Sequence, residues 1–164
     1  LYAQWIKPRL HDLAQGEVME LKERKNPKTW LIVGGVVQLG FAIWLMLDAS
    51  SFAESGWGTM TERELEIATT YELFWGWFSV PWAVWALMVA FLVSGQAQAR
   101  IAGLTGAMLV VHGGVFFFLA EGAGYGTEGP GPLFAGLFFL TIIAIAASGF
   151  LNWNMDDAEA TTEA

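Results

Sequence analysis

The chain has 164 residues, of which 55% are hydrophobic and 15% charged, whereas soluble domains average about 45–50% apolar and about 25% charged residues. This composition excludes collagen-like and disordered chains and indicates a membrane protein, and the absence of cysteine excludes disulfide frameworks and thiolate metal sites. The net charge of −8, from sixteen acidic and eight basic residues, argues against nucleic-acid binding, because contacts to phosphates need clustered Lys and Arg.

The first 28 residues predict an amphipathic helix that lies at a membrane interface. Asn26 and Pro27 end this segment, since proline cannot continue a helix. Apolar residues recur at roughly helical spacing and charged residues are interleaved with them. The apolar set is Leu1, Tyr2, Trp5, Ile6, Leu10 and Leu13, and the interleaved set is Lys7, Arg9 and Asp12.

Four apolar runs follow, and none contains a charged residue. They cover residues 30–47, 73–93, 101–120 and 133–151 and are 18 to 21 residues long. About 20 apolar residues are needed for a helix to cross a hydrocarbon core of about 30 Å. We therefore expect an all-α integral membrane protein, with a four-helix transmembrane bundle over residues 29–152.

The segments between and after these runs differ in character. Thr61 and Glu64 fit a capping box, which predicts a short surface helix over residues 62–70 in the first outer loop. The second outer loop, residues 122–132, has five glycines and two prolines and predicts irregular structure. Residues 153–164 are acidic and predict a disordered tail.

The distribution of Lys and Arg predicts the orientation in the membrane, because basic residues near helix ends stay on the cytoplasmic side. Arg100 lies between the second and third runs, and Arg63 alone lies in the two predicted outer loops. Both termini are therefore expected on the cytoplasmic side of a plasma, inner or equivalent energy-converting membrane. The remaining six basic residues precede the first run: Lys7, Arg9, Lys22, Arg24, Lys25 and Lys28.

Polar side chains inside the runs are few, and most lie near the middle of the bilayer. His112 is the only ionisable one, and ionisable residues at this depth usually face a cavity, a partner or a ligand. Its imidazole suits a haem iron or a chlorophyll magnesium, with Gly106, Gly113 and Gly114 leaving space for a flat ring. The alternative is a structural hydrogen bond from His112 to Gln38 or a threonine. The full set is Gln38, Ser79, Thr105, His112, Thr141 and Ser148.

Trp82 and Trp85 lie one helical turn apart, just after Pro81, where a kink is expected. Together with Gln38 and His112 they form the predicted cofactor-binding set, for a pigment, quinone or lipid, with His112 as the candidate metal ligand. Ordinary packing within the bundle is the alternative. Other tryptophans fall near predicted interfaces and indicate anchors in the headgroup region: Trp30, Trp57, Trp75, Trp77 and Trp153.

Residues spaced by four in the third run predict close helix contacts: Ala99 with Gly103, Ala102 with Gly106, and Gly103 with Ala107. Nucleotide-binding loops, zinc-ligand pairs and serine-hydrolase motifs do not occur in the sequence. The leading hypothesis is a non-enzymatic accessory or assembly subunit that contacts lipid and other membrane subunits, with an energy-converting complex as one context. The alternatives are a haem, chlorophyll, quinone or lipid-binding protein centred on His112, and a small-molecule carrier or channel that would require an oligomer.

Overall fold

The structure, a computed structural model, describes residues 26–125 and 131–154, with side chains described from residue 136 in the last helix. These ranges are 88% helical and contain no strand, which confirms the all-α prediction. The interfacial helix predicted for residues 1–28 and the acidic tail lie almost entirely outside the described residues. Five helices are present in the described ranges: α1 (Pro27–Leu47), α2 (Ala49–Trp57), α3 (Glu62–Leu92), α4 (Gly95–Gly122) and α5 (Gly131–Leu151).

The helices α1, α3 and α4 are each long and apolar enough to cross a membrane. They contain the predicted runs 30–47 and 101–120 and all but the last residue of the run 73–93, and α5 contains the fourth run. Asn26 begins α1, because its side chain accepts a hydrogen bond from the Lys28 backbone N–H at 2.9 Å and Pro27 occupies the first helical position. Composition therefore indicates a helical membrane protein.

The first connecting segment differs from its prediction. The capping box is confirmed: the backbone N–H of Thr61 donates to the Glu64 carboxylate at 2.8 Å, and the N–H of Glu64 donates to the Thr61 hydroxyl. However, it begins the 31-residue helix α3 rather than a separate short helix. No glycine or proline stands between residues 62 and 75 to break the helix, so the charged turns simply continue into the apolar run.

A short helix that the sequence analysis missed, α2, follows α1 directly. Asp48 leaves helical geometry between the two helices, and α2 ends at Gly58, whose φ of 72° is accessible to glycine at little cost. The buried residues of α2 recur at helical spacing and form its inner face: Ala49, Phe52, Ala53 and Gly56. This helix therefore lies against one end of the bundle, called here the α2 end.

Two tightly packed pairs form the bundle: α1 with α3, and α4 with α5, with α1 also contacting α5. Leu31 on α1 is fully buried, in a cluster with Ala86 on α3, Ala102 on α4 and Ile145 on α5. Gly35 allows α3 to approach, since a Cβ there would lie 2.8 Å from the Leu87 side chain. The core thus joins all four long helices through small and aliphatic residues.

The contact between α4 and α5 brings their backbones together. A Cβ on Gly106 would lie 2.6 Å from the backbone nitrogen of Ala146, and one on Gly149 would collide with the backbone of Gly103. Ala99 on the same side of α4 is fully buried. The small-residue contact predicted for this helix is confirmed at Gly103 and Gly106, and its partner is α5. Ala107, which was predicted to share it, lies on the outer side of α4.

At the end opposite α2, side chains from α4 bind the ends of α3 and α5. Gln98 is buried, and its amide donates to the carbonyl oxygens of Val89, Ala90 and Val93 at 2.6–3.2 Å, which satisfies the last turn of α3. Arg100 donates to the carbonyl of Trp153 and lies over its ring. The connection from α3 to α4 and the end of α5 are therefore both held by side-chain contacts of α4.

Gly149→Ala should lower the free energy of unfolding by about 1–3 kcal/mol, because the added methyl group forces two backbones apart. Gly114→Ala is the matched control on α4, since a Cβ there meets no atom within 4 Å. Unfolding in mixed micelles, followed by tryptophan fluorescence, compares the two variants. Equal stability of both would contradict the backbone contact.

Candidate functional site

A small cavity at the centre of the bundle brings together three of the four predicted site residues. Gln38 from α1 and both Trp82 and Trp85 from α3 line it, together with Thr105 from α4 and Thr141 from α5. Its volume is about 10 Å³, which corresponds to about one water molecule. The cavity is therefore mainly apolar, with three polar side chains in its lining, and it has no room for a porphyrin or a quinone.

The hydroxyl groups near this depth bond to their own helices rather than to one another. Thr141 Oγ1 donates to the carbonyl of Phe138 at 2.7 Å, and Ser79 Oγ donates to the carbonyl of Trp75 at 2.9 Å. Ser148 does the same with Ile145. In the described residues these three hydroxyls therefore do not link the helices through hydrogen bonds.

The structure places His112 away from this cavity, on the outer side of α4. It lies in a wide, shallow groove of about 530 Å³, which it lines with Ala107, Met108, Val111 and Val115 of the same helix. The hydrogen bond to Gln38 or a threonine that the structural alternative requires is not formed within the described part of the chain. His112 consequently presents an imidazole to whatever surrounds the protein.

The three glycines expected to leave space beside His112 have different roles. Gly106 packs on Ala146, and Gly113 packs on α5, where a Cβ would lie 2.9 Å from the Phe139 ring. Gly114 alone is open, since a Cβ added there would meet no atom within 4 Å. The space around His112 therefore results from the exposed side of α4 and not from a glycine-lined slot.

A buried hydrogen bond at the α2 end was missed by the sequence analysis. Tyr125, just after α4, donates its hydroxyl to the Glu72 carboxylate of α3 at 2.7 Å, and Glu72 is only 6% exposed. The Tyr125 ring packs edge-on against Trp57 at 4.9 Å and over Gly56 of α2. We call these four residues the outer latch. Only two weak features of the sequence could have indicated it: Glu72 lies at the edge of an apolar run, and Tyr125 lies between two glycines.

The chemistry of the outer latch is that of a structural contact. Burial raises the pKa of Tyr125 well above its usual value, and the neighbouring Glu72 carboxylate raises it further, so the phenol keeps its proton and donates it. The described residues contain no group of three or more His, Asp or Glu side chains that could hold a metal ion. The latch therefore joins α2, α3 and the end of α4.

Tyr125→Phe should lower the free energy of unfolding by about 1–3 kcal/mol, because it leaves a buried carboxylate without its donor. A double-mutant cycle with Glu72→Gln measures the coupling between the two side chains. Tyr71→Phe is the control, since Tyr71 is an exposed tyrosine one position before Glu72. Strictly additive effects of the two latch substitutions would show that the hydrogen bond contributes nothing.

Comparison with protein-family models, with curated proteins and with solved structures finds no match to this chain. Function is therefore inferred from the contacts and exposed surfaces of the described residues themselves. Of these, the outer side of α4 is the feature that packing within the chain leaves unexplained, because it carries a polar side chain on an apolar surface.

Proposed function

We propose that this chain is a non-catalytic accessory or assembly subunit that packs against other membrane-protein subunits. In this proposal it spans the membrane four times, with α5 as the fourth span. The 21 residues of α5 extend about 31 Å at about 1.5 Å per residue, which matches the hydrocarbon thickness. The close backbone contact between α4 and α5 supports a position for α5 in the membrane beside α4.

The proposed orientation has both termini on the cytoplasmic side. Lys28 at the start of α1 and Arg100 near the start of α4 lie at the end of the bundle opposite α2, whereas Arg63 lies at the α2 end. Trp30 and Trp153 lie at the Lys28 end, where tryptophan rings favour the headgroup region. The outer latch then faces the outer compartment.

The exposed surface of α4 is the observation that carries the accessory role. In its most apolar 18 residues only 17% are buried, compared with 28% for α1 and 33% for α3. His112 lies on this exposed surface near mid-membrane, where lipid chains offer neither a hydrogen-bond donor nor an acceptor. A protein partner supplies such groups. The exposed surface around Met108, Val111, His112 and Val115, called here the α4 face, is therefore the proposed docking surface.

Native purification in a gentle detergent tests this role with two matched variants. Gly114→Leu enlarges the α4 face and Gly40→Leu enlarges the exposed side of α1 at a similar depth, and neither Cβ meets an atom within 4 Å. The wild type and Gly40→Leu should migrate with a stoichiometric protein partner, and Gly114→Leu should lose it. A wild-type chain that migrates singly, with lipid alone, would contradict the proposal.

A tetrapyrrole-binding function is the second candidate, and the open groove at His112 favours it. A haem or chlorophyll ring lying on α4 would take His112 as its axial ligand, and Met108, Val111 and Val115 would contact its apolar face. The central cavity is too small to hold any part of such a ring. In this case Gln38, Trp82 and Trp85 would support the bundle behind α4 rather than touch the ring.

The visible spectrum of the purified native protein separates the two candidates. A subunit without pigment gives a colourless preparation, and His112→Ala changes nothing in its spectrum. A tetrapyrrole protein gives a visible absorption band that His112→Ala abolishes, while Met108→Ala in the same groove keeps it. A band that survives in His112→Ala would remove His112 as the ligand.

A further inference from the structure

We infer that the central cavity binds one water molecule, which joins α1, α4 and α5 through hydrogen bonds to Gln38, Thr105 and Thr141. This water site does not depend on the accessory role or on the molecule that covers the α4 face, because it lies inside the chain. Three observations support it: the polar side chains in the cavity lining, the hydrogen bonds that two of them lack, and the size of the cavity.

Three polar side chains from three helices meet at the cavity. Gln38 lies one position past the centre of α1, and Thr141 is the central residue of α5. Thr105 reaches the same cavity from α4, while Trp82 and Trp85 line it on the α3 side. The three polar side chains are all partly buried. In the proposed topology they lie deep in the membrane, where hydrocarbon offers no hydrogen-bond partner.

Two of these side chains lack a hydrogen-bond partner. The Thr141 hydroxyl donates to the carbonyl of Phe138, but neither the Gln38 amide nor the Thr105 hydroxyl forms a hydrogen bond with any described residue. In the same part of the chain, every side-chain nitrogen or oxygen that is sealed from a water-sized molecule has a partner. The polar atoms of Gln38 and Thr105 are therefore within reach of a water molecule, and leaving them unpaired in an apolar setting is costly.

The size and lining of the cavity favour a single neutral molecule. Its volume of about 10 Å³ is about the smallest that holds a water molecule. A purely apolar cavity stays dry, whereas a buried water needs two to four polar partners. The three polar side chains supply that number. A cation is disfavoured, because the lining contains no carboxylate and a charge at this depth is costly.

The directions of the hydrogen bonds follow from the donors that remain. Thr141 has already used its proton on Phe138, so its oxygen can only accept, and the water donates to it. The Thr105 hydroxyl and an N–H of Gln38 can both donate to the water oxygen. The water thus forms three hydrogen bonds, which is the usual number for a buried water. It gives α1, α4 and α5 a polar link that their side chains do not form directly.

Water-edited solid-state NMR of the full chain in phosphatidylcholine liposomes tests the site directly, with isotope-labelled side-chain nitrogens in glutamine. Magnetisation should pass from water to the Gln38 amide, whose signal is assigned by its loss in Gln38→Met. Gln98 is the control within the same sample, because its buried amide donates to backbone carbonyls of α3 and its C-cap and should receive little magnetisation. Absence of transfer to Gln38 would overturn the inference.

Removing the other two partners should release the water. In the double variant Thr105→Val with Thr141→Val, transfer to Gln38 should fall to the level of the control amide, because one side chain is too few to hold a water. Ser79→Ala with Ser148→Ala also removes two hydroxyls, but neither lines the cavity, so transfer should be unchanged. Thr141→Val alone should weaken the transfer, and it keeps the test available if the double variant does not fold. Full transfer in both valine variants would overturn the site.

A buffer exchange separates water from a bound cation. Replacing sodium chloride by choline chloride should leave the Gln38 amide signal and its transfer from water unchanged. A shift of the Gln38 signal that returns with sodium would show a cation in the cavity and would overturn the assignment to water. These measurements use the reconstituted chain without a partner, so their failure leaves the accessory role untouched, and loss of the accessory role leaves the water site untouched.

Discussion

The contact between the backbones of α4 and α5 determines how the rest of the bundle is arranged. Gly103, Gly106 and Gly149 bring the two helices together without intervening side chains. In a bilayer, packing and hydrogen bonds rather than the hydrophobic effect hold helices together, and small residues give the closest packing. Because α4 uses its small residues on α5, most of its large side chains lie on the other side of the helix and are exposed. The exposed α4 face is thus a direct consequence of the glycine contact.

The spans were predictable because the cost of charge in hydrocarbon is visible in a sequence. Runs of 18 or more residues without Asp, Glu, Lys or Arg mark α1, α3 and α4 well, and the capping box at Thr61 marks the start of α3. The prediction of a separate short helix before the apolar run was wrong. The sequence changes there from charged to apolar, but the helix continues without a break. The α2 helix was missed because Asp48 interrupts what is otherwise continuous helix-compatible sequence.

The sequence predicted how deep the candidate site residues lie along their helices, but not which side of each helix they occupy. Counting residues placed Gln38 and Thr141 near the middle of the bilayer, and the structure brings both to one cavity, together with Trp82 and Trp85. The same counting grouped His112 with them, although it lies on the opposite side of α4 from the helix's buried residues. A helix that is apolar all round carries no polar stripe to show which side faces lipid. The outer latch depends on residues 53 positions apart, and such long-range contacts leave no local pattern.

Two side-chain contacts each join a pair of consecutive helices, and they depend on the directions in which those helices run. Glu72 meets Tyr125 because α3 and α4 run in opposite directions, and Arg100 meets Trp153 because α4 and α5 do. In the proposed four-span topology, a chain in which one of these helices fails to insert would lose the contact between Glu72 and Tyr125 or the contact between Arg100 and Trp153. The two contacts lie at opposite ends of the molecule. In the proposed topology, both form together only when all three helices have inserted correctly.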